Sequence, residues 1–531
     1  MSTALIMSRG ESGLDAPPVR VEVHLPSGLP GFGLSGLNAP AARDRVKSAI
    51  ENSGFDYPNC RVSVNLGPAE LRKQGCRYDL AIAAGILVAS AQLPAELFER
   101  WDLLGELSLL GDVRGIRGVL SAARAAASED RALLAPAGNR DELAAQQQRE
   151  DAAPAATGGL PISAPERRLI RHLSDLRRLP GLPRLRAAAP VAKQPEAHPL
   201  RAVIGQQVPK RALCIAAAGG HHLLMEGPPG AGKTMLAERL QRLLPPPAPD
   251  QLALGAEIHS LCGLPPPDGS PFRAPHHSAS AAALAGGGNP PTPGEVSLAH
   301  AGVLFLDELP EFRRDALETL REPLEAGTVR LSRSGASATY PASFQLVAAM
   351  NPCPAGLVCR PADCRCTPDQ ARRYRQRISA PLLDRIDLHL SVEAVPLEDL
   401  LAGTAPATAP DESRAGRPEA ERPDVSAHTD AKHPDSALPE VEDIAAARAA
   451  AVALRGVPNA ALRSDRASAA LAVDGPGARL LERAVARLRF SARGYFRVLR
   501  VARTIMDLSG APEQAIDAKA IAEALSYRPR G

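Results

Sequence analysis

One eight-residue segment constrains the folds available to this 531-residue chain more than any other. Gly227-Pro-Pro-Gly-Ala-Gly-Lys-Thr234 follows the apolar run Leu223–Met225 and precedes a helical pattern over Met235–Leu244. A strand, a glycine-rich turn and a helix in this order direct backbone N–H groups and the positive end of the helix at one anion. The chain is therefore expected to contain a parallel α/β sheet with a phosphate site at its carboxyl edge.

The segment matches the nucleoside triphosphate motif G-x-x-x-x-G-K-[ST], which predicts ATP and Mg²⁺ as cofactors. Lys233 is expected to reach the terminal phosphates, and the Thr234 hydroxyl is expected to bind Mg²⁺. The predicted cofactor-binding residues are Gly227, Pro228, Pro229, Gly230, Ala231, Gly232, Lys233, Thr234 and, as shown next, Asp307.

Two apolar runs downstream end in polar residues. Val303–Leu306 leads to Asp307 and Glu308, and the run from Gln345 leads to Asn351. Because parallel strands end at the ligand crevice, Asp307 is expected to hold Mg²⁺ and Glu308 to deprotonate the attacking water. The Asn351 amide is predicted to hold the same water, with a plain turn residue before a proline as the alternative.

Net charge and apolar runs restrict the class of partner. The formal charge is only +3, so any surface that binds nucleic acid must be local. Residues 1–15 contain no apolar run long enough for a signal peptide, and Leu80–Leu93 is too short to span a bilayer. We therefore expect a cytoplasmic protein without a membrane partner.

Composition divides the chain into four regions. Residues 1–190 show strand and helix patterns and are predicted to form an α+β domain. Residues 191–400 alternate strand and helix around the nucleotide motifs, as a parallel sheet requires. Residues 401–440 contain few large apolar residues and are predicted to be a disordered linker, whereas residues 441–531 are predicted to form a small helical lid.

Local patterns in the first region predict its elements. Alternation predicts strands over Val19–Leu25, Arg61–Leu66 and Leu103–Leu109. Helical spacing predicts helices over Ala41–Ser53 and Leu80–Ala91, and the polar, Ala-rich stretch Gln146–Gly159 is predicted to be a surface loop.

Four cysteines cluster at Cys353, Cys359, Cys364 and Cys366. Four thiols in one segment of a cytoplasmic chain suit a tetrahedral Zn²⁺. The spacing is irregular and contains no C-x₂-C pair, so a loop of thiols that binds no metal is the alternative. An arginine cluster in and after this segment either contacts DNA phosphates or is simply solvated: Arg360, Arg365, Arg372, Arg373, Arg375 and Arg377.

Longer motifs surround these sites: Phe272-Arg-Ala-Pro-His-His277, Gly294-Glu-Val-Ser-Leu-Ala-His300, Asp307-Glu-Leu-Pro-Glu-Phe312 and Leu382-Leu-Asp-Arg-Ile-Asp387. With the phosphate loop, they resemble the Mg-chelatase-like AAA+ ATPases of the bacterial competence (ComM/YifB) type. The resemblance implies a homo-oligomeric ring, usually a hexamer, with ATP between neighbouring subunits. It also implies action on single-stranded or branched DNA, as a helicase or branch-migration motor in recombination during natural transformation.

The resemblance assigns two further catalytic residues. Arg385 corresponds to the arginine finger that one subunit donates to its neighbour's ATP, a role that suits a planar, permanent cation. Arg493 corresponds to the sensor-2 arginine of the lid, with a solvated surface arginine as the alternative and Arg497 and Arg500 as competitors. The segment between the two ATP motifs resembles the family's inserted elements, where Arg273, His276 and His277 are expected to contact phosphates. A metal ligand or a structural role is the alternative for the pair His276 and His277.

Residues 20–135 resemble the proteolytic domain of Lon proteases, which use a serine and a lysine. The matching positions here are Ile82 and Leu120, and a hydrocarbon serves neither as nucleophile nor as base. We therefore expect a domain retained for binding or assembly, with a new pair formed by Ser90 and Lys73 as the minor alternative.

Three other functions share these ATPase motifs. They are the motor subunit of a Mg²⁺ chelatase, an ATP-driven chaperone that remodels proteins, and a nucleotide-binding scaffold without catalysis. The Lon-like region argues against the chelatase, and the complete set Lys233, Glu308 and Arg385 argues against the scaffold.

Overall fold

The protein is described by a computed structural model. Its described residues are 2–37, 39, 41–152, 166–187, 198–333, 336–355, 366–395, 438–462, 470–488 and 490–528. Most of the predicted linker and two of the four clustered cysteines, Cys359 and Cys364, lie outside these ranges.

A seven-stranded mixed sheet forms the core of the N-terminal region, in the order β3-β4-β2-β1-β5-β8-β9. Strands β6 and β7 form a separate antiparallel ribbon. The strands are β1 Ser2–Arg9, β2 Pro18–Leu25, β3 Gly31–Ser35, β4 Arg61–Gly67, β5 Trp101–Leu103, β6 Glu106–Leu107, β7 Val113–Arg114, β8 Ala132–Pro136 and β9 Arg167–Ile170. The helices are α1 Ala42–Asn52, α2 Asp79–Ala89, α3 Val119–Ser128 and α4 Arg140–Ala152.

Two predictions for this region are wrong. The predicted strand Leu103–Leu109 is interrupted: β5 ends at Leu103, and only Glu106–Leu107 forms a further short strand, β6, after Gly105, where a Cβ would lie 2.5 Å from the Val113 side chain. The predicted loop Gln146–Gly159 is helical as far as Ala152, because Ala, Gln, Arg and Glu favour helix. Residues 153–159 lie outside the described residues.

The second sheet has five strands, all parallel, in the order β11-β14-β17-β10-β18. Two antiparallel hairpins, β12–β13 and β15–β16, lie outside it. The strands are β10 Leu223–Glu226, β11 Phe272–Arg273, β12 Gly286–Gly287, β13 Thr292–Pro293, β14 Val303–Leu306, β15 Thr328–Arg333, β16 Ala336–Pro341, β17 Gln345–Met350 and β18 Leu388–Ser391.

Helices cover both faces of this sheet, as a doubly wound parallel sheet requires. Alternate residues of β10 face opposite cores, with Leu223 and Met225 on one side and Leu224 on the other. The helices of this region are α5 Gln207–Gly219, α6 Lys233–Leu243, α7 Pro249–Leu261, α8 Ala281–Ala285, α9 Glu295–Leu298, α10 Arg314–Glu318, α11 Arg321–Ala326, α12 Pro368–Arg375 and α13 Ala380–Leu383.

The C-terminal region is helical and joins one face of the second sheet. Its helices are α14 Val441–Arg455, α15 Gly475–Leu488, α16 Ala492–Leu508 and α17 Ala518–Ser526. A buried polar network crosses the boundary, since His221 contacts Asp387 at 3.0 Å and Thr504 at 2.8 Å. The predicted α/β class, with a parallel-sheet core and a helical C-terminal region, is confirmed.

The N-terminal region packs against helix α7 of the second region. The buried carboxylate of Glu257 accepts hydrogen bonds from Ser121 at 3.1 Å and from Arg124 at 2.7 Å, both on α3. The backbone N–H of Gly118 donates to the Ser260 carbonyl at 3.0 Å. No helix within the described ranges is long and apolar enough to cross a bilayer.

Candidate ATP site

The parallel register brings the predicted ATP residues to one edge of the second sheet. Leu306 of β14 is opposite Ala348 of β17, and Met350 of β17 is opposite Glu226 of β10. The next residues along these three strands are Asp307, Asn351 and the first glycine of the phosphate loop. Three separate segments therefore end within reach of a single ligand.

Two glycines of the phosphate loop are required by its geometry. A Cβ on Gly227 would lie 2.1 Å from the carbonyl oxygen of Val392, so only glycine permits this approach to the chain beyond β18. Gly232 has a φ of +85° and directly precedes α6, which begins at Lys233. The loop thus ends at a helix N-terminus, where unsatisfied N–H groups and the helix dipole favour an anion.

Lys233 is buried and lies at the centre of this edge. Its amino group donates to the carbonyls of Gly227 at 2.7 Å and Pro228 at 2.9 Å, and to Asn351 Oδ1 at 3.1 Å. Burial lowers the pKa of Lys233, and the negative charges of Asp307 and Glu308 act in the opposite direction. The structure therefore brings Asn351 directly to the lysine that is predicted to bind phosphate.

Two oxygen donors for a hard cation lie beside this lysine. The Thr234 hydroxyl donates to Asp307 Oδ2 at 3.2 Å. One carboxylate and one hydroxyl suit Mg²⁺, which binds few protein oxygens and completes its octahedron with phosphate and water. The residues present therefore fit an ATP-bound Mg²⁺ at Thr234 and Asp307.

Glu308 is held in an unusual backbone conformation. Its φ is +52°, a left-handed value that costs a non-glycine residue about 1–3 kcal/mol and that clusters at functional sites. Its N–H donates to Asp307 Oδ1 at 2.9 Å, and its side chain is half-exposed. Glu308 Oε2 lies 3.2 Å from Nδ1 of His277.

The contact between His277 and Glu308 was not predicted from the sequence. His277 follows β11 in the chain, and β11 pairs in parallel with β14, the strand that ends at Asp307. A polar residue that follows one strand of a parallel sheet tends to meet the residues that follow the neighbouring strand, but the sequence analysis predicted no strand at Phe272–Arg273. The order of the strands was the missing information.

Arg385 lies at the opposite edge of the sheet. It follows α13 and precedes β18, and the Asp387 N–H donates to the His222 carbonyl, just before β10 begins. The phosphate loop follows the other end of β10. Since strands rise about 3.3 Å per residue, the length of β10 separates the loop from Arg385. The Arg385 guanidinium is mostly buried, pairs with Glu325 and donates to the Pro381 carbonyl.

Arg493 shares this location with Arg385. Its guanidinium lies 3.8 Å from the Glu325 carboxylate and is 67% exposed. Of its competitors, Arg497 is buried and donates to the carbonyl of Asp384 at 2.5 Å, and burial lowers the pKa of Arg500. Among the predicted lid arginines, Arg493 is thus the exposed one beside the predicted finger.

Several basic residues that were predicted to contact phosphates are engaged within the chain. Arg273 forms a bidentate pair with Glu295, at 2.7 and 2.8 Å. In the arginine cluster in and just after α12, three members form ion pairs: Arg372 with Asp369 at 2.9 Å, Arg375 with Glu226 at 2.5 Å and Arg377 with Glu311 at 2.9 Å. Since Glu226 directly precedes the phosphate loop and Glu311 follows Glu308, Arg375 and Arg377 connect α12 to the ATP site.

The zinc prediction receives no support. Nowhere in the described parts of the chain do three or more His, Cys, Asp or Glu side chains form a group that could hold a metal. Of the predicted ligands, Cys353 is buried and Cys366 is partly buried, and the other two lie outside the described residues.

The two positions that the sequence resemblance assigns to the Lon dyad carry hydrocarbon side chains. Ile82 and Leu120 are fully buried, in α2 and α3. The alternative pair does not assemble, since Ser90 donates to the Leu87 carbonyl at 3.2 Å and Lys73 donates to the carbonyls of Pro68 and Leu71.

Most of the chain is similar to known protein families. Residues 199–400 match the family described as magnesium chelatase, subunit ChlI, and residues 21–139 and 439–528 match two further families of this subunit. The chain is 41% identical to the uncharacterized protein YifB of Escherichia coli (strain K12), over 99% of this chain and 97% of that protein. It is also 41% identical to the competence protein ComM of Haemophilus influenzae, over 99% and 98% of the two chains.

A more distant relative is similar to this chain over a shorter region. The magnesium-chelatase 67 kDa subunit of Heliobacterium mobile is 32% identical over 194 residues, which is 30% of this chain and 29% of that protein. The long matches and the phosphate loop agree: this chain belongs to the Mg-chelatase-like AAA+ ATPases, in the group that includes YifB and ComM.

Proposed function

We propose that this ATPase is the subunit of a ring-forming motor that acts on single-stranded or branched DNA. Its activity would be that of a helicase or branch-migration factor in the recombination of DNA taken up during natural transformation. A hexamer is the proposed ring. The support comes from the site geometry, from the family and from the name of the competence relative.

The observation that supports a ring of subunits is the distance between the phosphate loop and Arg385 in one chain. The loop follows the carboxyl end of β10, whereas Arg385 precedes the amino end of the adjacent parallel strand β18. A side chain at one edge of a sheet does not reach a ligand at the other edge. If Arg385 is the arginine finger, the ATP that it contacts is bound by another subunit.

The residues at the carboxyl edge divide the chemistry of hydrolysis among them. ATP and Mg²⁺, when bound, supply the reactive phosphoryl group and its charge neutralisation. Lys233 would hold the terminal phosphates, while Thr234 and Asp307 would hold Mg²⁺. Glu308 would accept the proton of the attacking water, and Asn351, which accepts a hydrogen bond from Lys233, would hold the same water near the γ-phosphate.

Arg385 and Arg493 complete the site from the neighbouring subunit in this proposal. Both approach Glu325, so they share one surface of the chain. Two guanidinium groups on one face can stabilise charge that spreads over the γ-phosphate oxygens. The sensor-2 role of Arg493 would then be exerted between subunits.

We favour DNA over a porphyrin as the substrate of the motor, because the competence relative aligns over more of this chain than the magnesium-chelatase relative does. The relative named a competence protein aligns over 99% of this chain, whereas the magnesium-chelatase subunit aligns over 30%. The Lon-like N-terminal region, retained here without its dyad, is expected of the DNA-associated branch. A chaperone that remodels proteins is the second candidate, because the ATPase core is common to both.

The test is the ATPase rate of the full chain with single-stranded, double-stranded and branched DNA, combined with a strand-separation or branch-migration assay. ATP or a non-hydrolysable analogue should tighten DNA binding by promoting assembly, since a ring multiplies weak contacts. Affinity should fall steeply with salt and depend little on sequence, because phosphate contacts release counterions and do not read bases. If the assembled protein shows no salt-dependent DNA binding in ATP, the DNA motor is refuted and the chaperone is favoured.

A further inference from the structure

We infer that the outer edge of strand β3, Gly31–Ser35, binds an extended segment of a partner protein. The segment adds to the N-terminal sheet as a further strand and places an aromatic side chain over Gly33. The site lies in the N-terminal region, away from the residues that bind ATP, and the inference does not depend on the proposed function.

Strand β3 is an unprotected edge of the seven-stranded sheet, with β4 as its neighbour. Within the described residues, no backbone hydrogen bond reaches β3 from the side opposite β4. Natural edge strands are commonly protected by charged residues, prolines or bulges, yet Gly31–Ser35 contains no charge and no proline. The other edge, β9, is protected, because it begins with Arg167 and Arg168 and its Arg167 carbonyl accepts a hydrogen bond from the Leu185 N–H at 2.8 Å.

Two glycines of β3 are not explained by contacts within the described residues. Beyond its chain neighbours, a Cβ on Gly31 would lie no closer than 3.9 Å to another atom, and one on Gly33 no closer than 4.0 Å. Neither residue has a left-handed φ, whereas Gly36 has one and a Cβ there would lie 2.3 Å from the Leu66 carbonyl oxygen. Glycine weakens a strand interior and commonly marks a place where a ligand or another backbone approaches closely. We therefore attribute Gly31 and Gly33 to the approach of a partner.

A groove of about 640 Å³ begins at Gly33 and crosses the sheet face opposite α2. Its floor nearest the edge consists of small residues, since Gly33 pairs in register with Ser63 of β4. Asn65 forms a polar rim, where it accepts a hydrogen bond from Ser35 at 3.1 Å and donates one to Glu22 at 3.0 Å. An aromatic side chain on a strand beside β3 would cover the glycine, as aromatic residues do in cross-strand pairs, and a tyrosine hydroxyl would meet the rim.

The other face of β3 determines which residues flank the aromatic one. Phe32 and Leu34 pack against the core that contains α2, and both are only partly buried. Leu29, just before the strand, is 89% exposed. Since successive side chains of a strand point to opposite faces, the partner should carry apolar residues on either side of its aromatic residue, where they cover Phe32 and Leu34.

These requirements favour a different protein over a second copy of this chain. Within the described residues, every aromatic side chain is buried or partly buried, and the exposed large apolar side chains are Leu, Val and Met. Two copies of β3 paired with each other would place Gly and Ser beside Gly and Ser on the groove side, and the groove would stay empty. A segment with an aromatic residue between two apolar residues fills it.

The first experiment selects peptides from a displayed library of random sequences of about nine residues on the full chain, with Gly33→Val as the counter-selection. A valine fits the strand itself, because the added Cβ has space and β-branched residues favour strands, so the variant should keep its thermal stability and its ATPase activity. Selected peptides should carry an aromatic residue between two apolar ones. Gly33→Val should weaken their binding roughly tenfold or more. Gly181→Val is the matched control, since a Cβ there also meets no atom within 4 Å, and it should bind as the wild type does.

The second experiment tests the addition of a strand. Methylation of one backbone nitrogen of the peptide at a time should weaken binding at alternate positions only, because alternate N–H groups of a strand face β3. Selection of peptides without this alternation, equal affinity for the wild type and Gly33→Val, or binding that no methyl group affects would overturn the inference. Light scattering without nucleotide tests the second copy: a wild-type dimer that Gly33→Val dissociates would assign the edge to self-association and overturn the partner inference as well.

Discussion

The carboxylate of Glu325 binds the guanidinium of Arg385, the residue proposed to act on a neighbouring subunit's ATP. The two residues lie on α11 and just after α13, and the contact leaves Arg385 only 10% exposed. Glu325 is itself half-exposed. If Arg385 is the arginine finger, an anion of its own chain pairs with it where the proposed ring would bring the γ-phosphate of a neighbour.

Arg385→Ala should keep ATP binding and lose most hydrolysis, by roughly 10³-fold or more, as expected for an arginine finger. The defect should be complemented between subunits. Mixing Arg385→Ala with Lys233→Ala should restore part of the ATPase, because some interfaces then combine an intact loop with an intact finger. Assembly of the mixture is checked by light scattering, and no recovery in assembled rings would show that Arg385 acts within its own chain.

Lys233→Ala and Glu308→Gln should separate binding from catalysis. Lys233→Ala should lose nucleotide binding, because its amine is the buried cation of the loop. Glu308→Gln should bind ATP and hydrolyse it very slowly, since the amide keeps the shape of the side chain but accepts no proton. Equilibrium binding of a fluorescent nucleotide and phosphate release measure the two properties, and normal phosphate release by Glu308→Gln would contradict the assignment of the base.

The α12 arginines should fall into two functional classes. Arg372→Ala with Arg373→Ala should flatten the salt dependence of DNA binding, by a slope of about 1 for each lost phosphate contact, and leave the basal ATPase intact. Arg375→Ala with Arg377→Ala should instead lower the ATPase, because these residues pair with Glu226 and Glu311 beside the ATP site. Equal effects of both pairs on DNA binding alone would show that the ion pairs are incidental.

Acid should destabilise the fold through buried histidines. Burial lowers the pKa of His300 and of His389 to about 4. The folded chain then favours the neutral imidazoles. The free energy of unfolding is therefore undiminished above the unfolded pKa of about 6.5 and decreases as the pH falls from there towards 4. At pH 5 each histidine should reduce the free energy of unfolding by about 2 kcal/mol.

Denaturant titrations at pH 7.5 and pH 5 measure this loss. His300→Asn retains an acceptor for the Ser343 N–H, and His389→Gln retains a donor for the Ile386 carbonyl. Both variants should therefore lose less stability in acid than the wild type does. An unchanged acid loss in the double variant would show that other groups cause it.

The purified chain should have no peptidase activity, with or without ATP. Ile82 and Leu120 stand at the positions that the predicted resemblance assigns to the Lon dyad, and the Ser90 hydroxyl and the Lys73 amine donate hydrogen bonds to different carbonyls. The assay uses an unfolded fluorescent protein as substrate, with Ser90→Ala as the comparison. Cleavage that disappears in Ser90→Ala would disprove the loss of protease chemistry.

The elements of the ATP site were predictable because their patterns are local. Val303–Leu306 and Gln345–Met350 are short apolar runs bounded by polar residues, and both form strands where predicted. The loop residues Gly227–Thr234 are contiguous, so their relation to α6 follows from spacing alone. The class of the second sheet follows from the alternation of these strands with helices.

The contacts between distant segments were not predictable in the same way. His277 meets Glu308 only because β11 lies beside β14, and Glu325 meets Arg385 across 60 positions of sequence. Charge alone also did not reveal that Arg372, Arg375 and Arg377, in and just after α12, form ion pairs with acidic residues of the same chain. A residue type does not reveal its partner when the partner comes from another element.

The buried carboxylate of Glu257 connects the N-terminal region to helix α7 of the ATPase region. Burial raises the pKa of Glu257, while Arg124 and Ser121 of α3 stabilise its charged form. A fragment that begins after residue 190 would leave this side chain without those partners, and Leu261, which lies beside Gly118, would become exposed. Such a fragment should aggregate, so a low activity measured on it would report misfolding and not the intrinsic chemistry of the site.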